Sequence, residues 1–484
     1  MRFKIIQKIL GILLMIFSVT MLPAALVSVY FNEYFETWSF LYAFFFIMLA
    51  GTVFWLPAVE ERAELRVRDG FLVVVLFWVV LGVLGALPFI LSESLNISVT
   101  DAIFESISGL TTTGASVFVN LESLPKSILF YRQFLQWLGG LGIIVLAVAI
   151  LPILGIGGMQ LYRAESLTTI KEKTLTPRIT HTASALLNIY IALTILCAIG
   201  YKLAGMTAYD ALCHSFSTIS IGGFSTYSNN IAYFNNTSIE LVATIFMLLA
   251  AANFGLHFAA WRKKALFPYR EDSEFKGYTA IIIILSVISV TYLWAGGILG
   301  DIEKTVIRGI FQTVSIATTT GFTTTDYSAW PSFLLMLLII SSFIGGCAGS
   351  TGGGIKVVRF LLLIKQGLRE LKRLVHPSSE VVIKLGKNVL NDRALESVWG
   401  FFAVYIAIFV VMFLLLMAAE LPYLSAFSAV AATLNNLGPG LGSVSEGYAS
   451  VNDFGKWVLI TGMLFGRLEV FTLLIIFTTT FWKK

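Results

Sequence analysis

Charge is scarce in this chain: 13% of its 484 residues are Asp, Glu, Lys or Arg, against 57% that are hydrophobic. No water-facing globular surface can be built from that balance, which excludes an ordinary soluble domain. Cysteine and histidine are scarcer still. Cys197, Cys213 and Cys347 stand singly in apolar or small-residue segments, and His181, His214, His257 and His376 have no metal-ligand spacing. Disulfide and zinc frameworks are therefore not expected, and the thiols read as inert packing groups. A membrane enzyme would need His, Asp, Ser or Cys clustered at bilayer depth, and no such catalytic constellation is visible, so the chain is not read as an enzyme. The phosphate-binding pattern G-x-x-x-x-G-K-[S/T] is missing too, as is any low-complexity linker.

What the chain has in abundance is long apolar runs. Spanning a bilayer takes about 20 mostly apolar residues, and ten runs qualify, near 5–29, 38–57, 71–92, 128–151, 184–205, 238–260, 278–299, 333–363, 396–419 and 456–481. The first follows Arg2, Lys4 and Lys8 and is long enough to span, which makes it an anchor rather than a cleaved signal peptide. Basic residues are unevenly shared between the two sides. The side carrying the N-terminus holds 26 of the 33 Lys and Arg, the other side six, and Arg467 lies within a span. Both termini are thus expected in the cytoplasm. The net charge of +5 reflects this bias rather than a nucleic-acid surface.

Four short stretches interrupt the pattern. A-T-T-T-G-F-T-T-T-D from Ala317 is echoed by T-T-T-G-A-S from Thr111, S-I-G-G-F-S-T from Ser220 and N-N-L-G-P-G from Asn435. Aligning them places Gly114, Gly223, Gly321 and Gly438 in one column, at intervals of 109, 98 and 117 residues. Asp101 and Asp210 both stand thirteen residues before the glycine, and Ser108, Ser217 and Ser315 six before it. The match is weakest in the fourth copy.

An internal repeat of this kind sets the fold. The reading is an all-α polytopic membrane protein with two extra N-terminal helices, 1–68, and four pseudo-symmetric membrane-pore-membrane repeats around one pore, at 69–170, 171–272, 273–390 and 391–484. Each Thr/Gly loop, preceded by a half-helix too short to cross, falls on the outer side. Non-helical backbone at membrane depth needs protein or a water-filled cavity to satisfy it. Four converging loops supply that, and a ring of their carbonyls can replace a cation's hydration shell. Small residues that merely let helices pack would account for one or two copies, hardly for four.

Two further features stand apart. Residues 345–354, G-G-C-A-G-S-T-G-G-G, hold six glycines in ten positions and cannot support a straight eighth span. They read either as a flexible intramembrane gate or as close helix packing through Gly345 and Gly349. Arg467 lies eleven and fourteen residues from the ends of the last run. It reads either as a positive barrier to cations below the loops or as a tie to a carbonyl or acid on a neighbouring span. Glu469, two positions on, would point to another helical face.

These residues resemble the Trk/Ktr/HKT superfamily of potassium transporters, and within it the bacterial TrkH/TrkG potassium-uptake subunits. The resemblance covers essentially the whole chain. It is carried by F-L-V-V-V-L-F-W after Gly70, L-T-T-T-G-A, F-Y-R-Q-F-L-Q-W, H-S-F-S-T-I-S-I-G-G-F-S-T, F-I-G-G-C-A-G-S-T-G-G-G, N-N-L-G-P-G-L-G and L-F-G-R-L-E. It implies a K⁺ filter built from Thr111, Thr112, Thr113 and Gly114; Ser220, Ile221, Gly222 and Gly223; Thr318, Thr319, Thr320 and Gly321; and Asn435, Asn436, Leu437 and Gly438. It implies a gate of Gly345, Gly346, Gly349, Gly352, Gly353, Gly354 and Arg467. The resemblance also implies that glycine rather than serine at Gly114 favours K⁺ over Na⁺.

The resemblance further implies a homodimer with one pore per protomer, working with a cytosolic TrkA-type ring that binds ATP, ADP or NAD. No Rossmann fingerprint or organic cofactor site is apparent on this chain, and K⁺ is the transported ion. The nine Lys and Arg between 356 and 393 are the candidate docking surface for that ring, although the positive-inside bias alone also produces them. The expected function is K⁺ uptake across the bacterial inner membrane through a gated, K⁺- and Rb⁺-permeable pore. A K⁺/H⁺ or K⁺/Na⁺ symporter is the alternative, and no chain of acidic residues crosses the spans as a proton relay would.

Overall fold

The computed structural model describes residues 1–61, 66–145, 176–379, 381–386 and 388–483. The far end of the fourth run, 146–151, and Arg62, Arg163, Lys171, Lys173, Lys387 and Lys484 of the charge count lie outside the described residues.

Apart from a two-stranded ribbon at Lys384–Leu385 and Asn388–Val389, the regular structure described is helical. In chain order the helices are α1 Phe3–Val19, α2 Met21–Tyr30, α3 Tyr34–Trp55, α4 Val67–Leu84, α5 Leu87–Leu91, α6 Val99–Leu110 and α7 Lys126–Val145. Beyond residue 175 come α8 Thr176–Leu203, α9 Ala208–Ile219, α10 Thr237–Ala250, α11 Phe254–Lys263, α12 Phe267–Glu271, α13 Ser273–Ala295, α14 Ile302–Ala317 and α15 Ser332–Ile344. The last are α16 Val357–Val375, α17 Asp392–Ala418, α18 Tyr423–Leu434, α19 Asp453–Arg467, α20 Phe471–Phe477 and α21 Thr479–Trp482.

Six helical stretches are long and apolar enough to cross a membrane without a sharp bend: 3–30, 34–58, 68–91, 183–203, 273–295 and 392–418. Large apolar side chains stand bare on their outer faces, among them Phe45, Leu49, Ile284, Val287, Val411 and Leu414. Water would not tolerate this stripe, whereas lipid does. At the crossing of α1 and α3 the reason for small residues is steric. A Cβ on Gly11 would lie 2.8 Å from the Gly51 carbonyl oxygen, and one on Gly51 2.9 Å from that of Gly11.

Three expected spans are not continuous. The run at 333–363 ends as a helix at Ile344 and resumes at Val357 beyond the glycine loop. The run at 238–260 bends by 92° between α10 and α11, and that at 456–481 by 113° between α19 and α20. The first bend has a clear cause. Asn253 caps α11 by accepting from the Gly255 amide at 2.7 Å. Carbonyls freed by the break are taken by the glycine loop, Ala251 O from the Cys347 amide at 2.9 Å and Ala250 O from the Thr351 hydroxyl at 3.2 Å. At the second bend Glu469 and Val470 both have left-handed backbone, φ 53° and 51°.

The extra N-terminal spans are tied to α7 through Glu33. Its carboxylate accepts from the backbone amides of Lys126 at 2.6 Å and Ser127 at 2.9 Å, capping the positive end of that helix. His214 and His257 are buried, and both ring nitrogens of each are hydrogen-bonded, to Asp210 O and Ser225 Oγ and to Tyr269 Oη and Leu249 O.

Candidate functional site

Four half-helices, α6, α9, α14 and α18, aim their C-terminal ends at one another. At the start of α6 the Ser98 hydroxyl accepts from the Asp101 amide at 3.1 Å, and Thr207 caps Asp210 on α9 in the same way at 3.1 Å. The two aspartates found by the repeat alignment are therefore helix-start residues.

At the other end all four half-helices stop identically. The amide two residues past the last helical position returns to the helix at Thr112→Gly109 O, Ile221→Thr218 O, Thr319→Ile316 O and Asn436→Thr433 O, over 2.9–3.2 Å. The next amide reaches one residue deeper, at Thr113→Ser108 O, Gly222→Ser217 O, Thr320→Ser315 O and Leu437→Ala432 O, over 2.7–2.9 Å. This pair of bonds is a Schellman C-cap, which calls for left-handed backbone and normally glycine. Here that position holds Thr112, Ile221, Thr319 and Asn436, at φ 54°, 55°, 68° and 53°. Left-handed β-branched residues are strained, about 1–3 kcal/mol each, and such strain gathers at functional sites.

Two residues on, each column glycine is left-handed again, φ 77° to 94°. A Cβ on Gly114 would lie 2.1 Å from the Gly222 oxygen, on Gly223 2.0 Å from Thr320 O, on Gly321 2.2 Å from Leu437 O, and on Gly438 2.6 Å from Thr113 O. Each glycine of one loop thus abuts the carbonyl just before the glycine of the next, in the order one, two, three, four and back to one. The loops form a closed ring. The fourth copy, weakest in sequence, keeps the backbone and changes only the side-chain support. Thr111 pairs with Thr113 and Thr318 with Thr320, hydroxyl to hydroxyl at 2.8 Å, whereas Asn436 Nδ2 reaches across to Thr113 Oγ1 at 2.9 Å.

The segments around the half-helix N-termini and the loops that follow the ring are stapled in the same cyclic order. Glu122 accepts from the Ser228 amide at 2.9 Å and from its hydroxyl, Arg308 pairs with Glu240 at 3.6 Å, Tyr327 donates to Gly440 O at 3.3 Å, and Lys456 pairs with Asp101 at 2.6 Å. Burial pushes the Glu122 carboxyl up, but the Ser228 donors and the nearby Lys126 charge outweigh it and leave the group below its ordinary value.

Beside the ring lies the glycine loop, which bonds the third and fourth loops and the last residue of α9. Thr351 Oγ1 donates to Ile219 O at 2.9 Å, the Gly353 amide to Thr319 Oγ1 at 2.7 Å, and the Gly354 amide to Asn435 O at 3.1 Å. A Cβ on Gly353 would sit 1.9 Å from Asn435 O, and one on Gly345 2.1 Å from Gly353 O. Glycine is needed at both positions because backbone lies against backbone. A cavity of about 40 Å³, room for a water or two, separates the loop from the last span, bounded by Gly352, Lys356, Asn436, Arg467 and Glu469. Gly346 and Gly349 sit at the α10–α11 break, beside Ala251 and Asn253.

Arg467 is buried and is tied to carbonyls, donating to Thr351 O at 3.1 Å and Gly139 O at 3.0 Å. Because the helix breaks after it, Glu469 turns to Arg359 on α16, at 2.5 Å. Several residues of this region were not found by sequence reasoning: Asn253, Lys356, Arg359, and the buried Glu105, Arg132 and Gln136 behind the first two loops. The available signal was polar residues in otherwise apolar runs, R-Q-x-x-Q above all.

Fold and site together define a polytopic membrane protein whose centre is a ring of backbone rather than a cluster of reactive side chains. Residues 37–484 match the model of the TrkH family, described as cation transport protein. The chain belongs to that family. It is 55% identical over its whole length to the Trk system potassium uptake protein TrkH of Vibrio parahaemolyticus and 52% to that of Escherichia coli K12, covering 100% of each. It is also 39% identical to the Escherichia coli TrkG protein, over 99% of both chains. The crystal structure of the potassium transporter TrkH from Vibrio parahaemolyticus superposes with a TM-score of 0.93, at 53% identity, over 100% of both chains.

Proposed function

We propose that the chain takes up potassium across the bacterial inner membrane, passing K⁺ and Rb⁺ through a gated pore enclosed by four repeats at 69–170, 171–272, 273–390 and 391–484. The closed ring carries this reading. Carbonyls from Thr111–Gly114, Ser220–Gly223, Thr318–Gly321 and Asn435–Gly438 are held in a strained, cyclically locked backbone, which suits them to stand in for the water around a permeating cation. Relatives bearing the name potassium uptake protein support K⁺ as the ion. Helix C-termini directed at the ring favour a cation there.

The loop with Gly345, Gly346, Gly349, Gly352, Gly353 and Gly354 is the gate, latched from below by Arg467. Both termini are cytoplasmic, and two chains associate, each with its own pore. A cytosolic nucleotide-binding ring moves the gate through α16 and the ribbon. Burial of Lys356, Arg359 and Arg369 narrows the docking surface, among the described residues, to Lys365, Lys372, Arg373, Lys384 and Arg393. Beside these charges Leu368, Leu371, Leu374 and Val375 are exposed on α16, an apolar edge suited to a protein partner.

The test is ion flux into liposomes holding the purified chain, with K⁺, Rb⁺, Na⁺ and Li⁺ offered in turn under an imposed pH gradient. K⁺ and Rb⁺ flux indifferent to that gradient is the expected result. Strict dependence on H⁺ or Na⁺ would make the protein a symporter instead.

A further inference from the structure

The motif F-Y-R-Q-F-L-Q-W, Phe130–Trp137 on α7, takes no part in the conduction reading, yet its polar residues are buried in a span. All three converge on the second loop. Arg132 lies with its guanidinium 4.2 Å from the Phe224 ring and pairs with Glu105 at 2.6 Å. Gln133 Nε2 donates to Phe224 O at 3.1 Å. Gln136 bridges the column glycine, its Nε2 donating to Gly222 O at 2.6 Å and its Oε1 accepting from the Phe224 amide at 3.2 Å. The fit is close: a Cβ on Gly222 would lie 2.4 Å from the Gln136 side-chain carbonyl carbon.

This makes the ring unequal. Four carbonyls precede the column glycines, at Thr113, Gly222, Thr320 and Leu437, and among the described residues only that of Gly222 accepts a side-chain hydrogen bond. A carbonyl already engaged by an amide donor presents a weaker field to an ion. Weaker ligands offset less of the dehydration cost of a small, strongly hydrated ion such as Na⁺ than of K⁺, whose dehydration costs less. The same clamp fixes the second strand, so that the ring does not close down onto a smaller ion. Field and rigidity push in one direction.

We propose that Gln136 is a positioning residue that sets cation selectivity by holding the Gly222 carbonyl as the weak, immobile member of the ring. The inference rests on the conduction reading above and assigns a role to a side chain that never touches the ion. Gln136→Met keeps the volume and removes both hydrogen bonds. Gln136→Glu keeps the shape, but its carboxylate cannot donate to Gly222 O.

The experiment measures reversal potentials of the full-length chain in liposomes, with K⁺ on one side and Na⁺ on the other, for the wild type and both variants. The K⁺/Na⁺ permeability ratio is expected to fall about fivefold in Gln136→Met, the size of effect one net hydrogen bond carries, and further in Gln136→Glu, with K⁺ flux retained. An unchanged ratio in either variant that assembles as the native oligomer overturns the proposal. So does failure of both to assemble, which would make Gln136 a folding residue only. A wild type that passes no K⁺ would instead count against the conduction reading, and the two failures are distinct.

Discussion

The Arg467 guanidinium donates to the carbonyl of Thr351 at 3.1 Å, which bonds the last span directly to the glycine-rich loop beside the ring. Its other bond, to Gly139 O at 3.0 Å, fixes it to α7, while Nε finds no partner among the described residues. Of the two roles open from the sequence, these bonds are those of a structural tie to carbonyls; on the function proposed above, the same guanidinium would also place positive charge below the ring.

Arg467→Ala is therefore expected to release the loop and to raise K⁺ flux of the isolated chain, roughly tenfold given the ~1.5–3 kcal/mol carried by a charged hydrogen bond. Flux into liposomes without the cytosolic partner reads this out. Arg467→Lys, which keeps a charge and offers a single donor group, should fall between the two. A flux equal to wild type in the alanine variant would remove Arg467 from the gate.

Gly114→Ser tests the ring. At φ 81°, with the Gly222 oxygen 2.1 Å from the position of a Cβ, any side chain must displace the Gly222 carbonyl. The expected outcome is a K⁺/Na⁺ permeability ratio lowered by about tenfold, as a strain of ~1–2 kcal/mol at one left-handed position is relieved by moving its neighbour. Reversal potentials under K⁺ and Na⁺ gradients decide, and an unchanged ratio would count against the carbonyl ring.

The column Gly114, Gly223, Gly321 and Gly438 was legible in the sequence because left-handed backbone pressed within 2.0–2.6 Å of the next loop's carbonyl leaves no room for a Cβ, whereas the left-handed Thr112, Ile221, Thr319 and Asn436 carry side chains and gave no such column; the apolar runs were legible because lipid imposes their length. The cyclic order of the loops was not, since the contact of Gly438 with Thr113 O joins residues at opposite ends of the chain. Nor were the bends. They fall at Ala251–Asn253 and Leu468–Val470 without a proline or glycine to announce them, because the breaks are held by tertiary partners, Ala251 O with the Cys347 amide and Glu469 with Arg359. Glu469 was recognised as misplaced for pairing along its own helix, yet its partner lies 110 positions away on an element that local periodicity cannot bring to it.

Gly353→Ala separates the loop from the filter by sterics alone. Its Cβ would fall 1.9 Å from Asn435 O, at the point where the neighbouring Gly354 amide bonds that same carbonyl at 3.1 Å. The loop cannot seat fully in this variant, so basal K⁺ flux should rise severalfold, as expected when a contact worth about 1 kcal/mol is lost. Because Asn435 belongs to the ring, Rb⁺/K⁺ permeability should shift as well. A variant with wild-type flux and wild-type Rb⁺/K⁺ ratio would show that loop and filter are not coupled through this contact.

Helix α16 runs from the loop to the ribbon, where Lys365 donates to Lys384 O at 2.6 Å. Arg359 near its start holds Glu469 at 2.5 Å and stacks its guanidinium 4.3 Å from the Phe401 ring, while Arg369 further along holds Asp392 at 3.0 Å. These buried arginines tie the helix to the bend of the last span and to the start of α17, so on the function proposed above a pull on its exposed end would reach Lys356 and the loop. Lys372 and Arg373 stand at that end. If a cytosolic ring docks here as proposed, reversing both, Lys372→Glu with Arg373→Glu, should weaken its binding by roughly tenfold at low salt and leave it less dependent on ionic strength, as loss of rim charges does. Calorimetric titration at two salt concentrations measures both effects. Cutting the tie to the last span by Arg359→Gln should leave ring binding intact and abolish its effect on flux. If both substitutions weakened binding alike, α16 would be a docking site and not a lever.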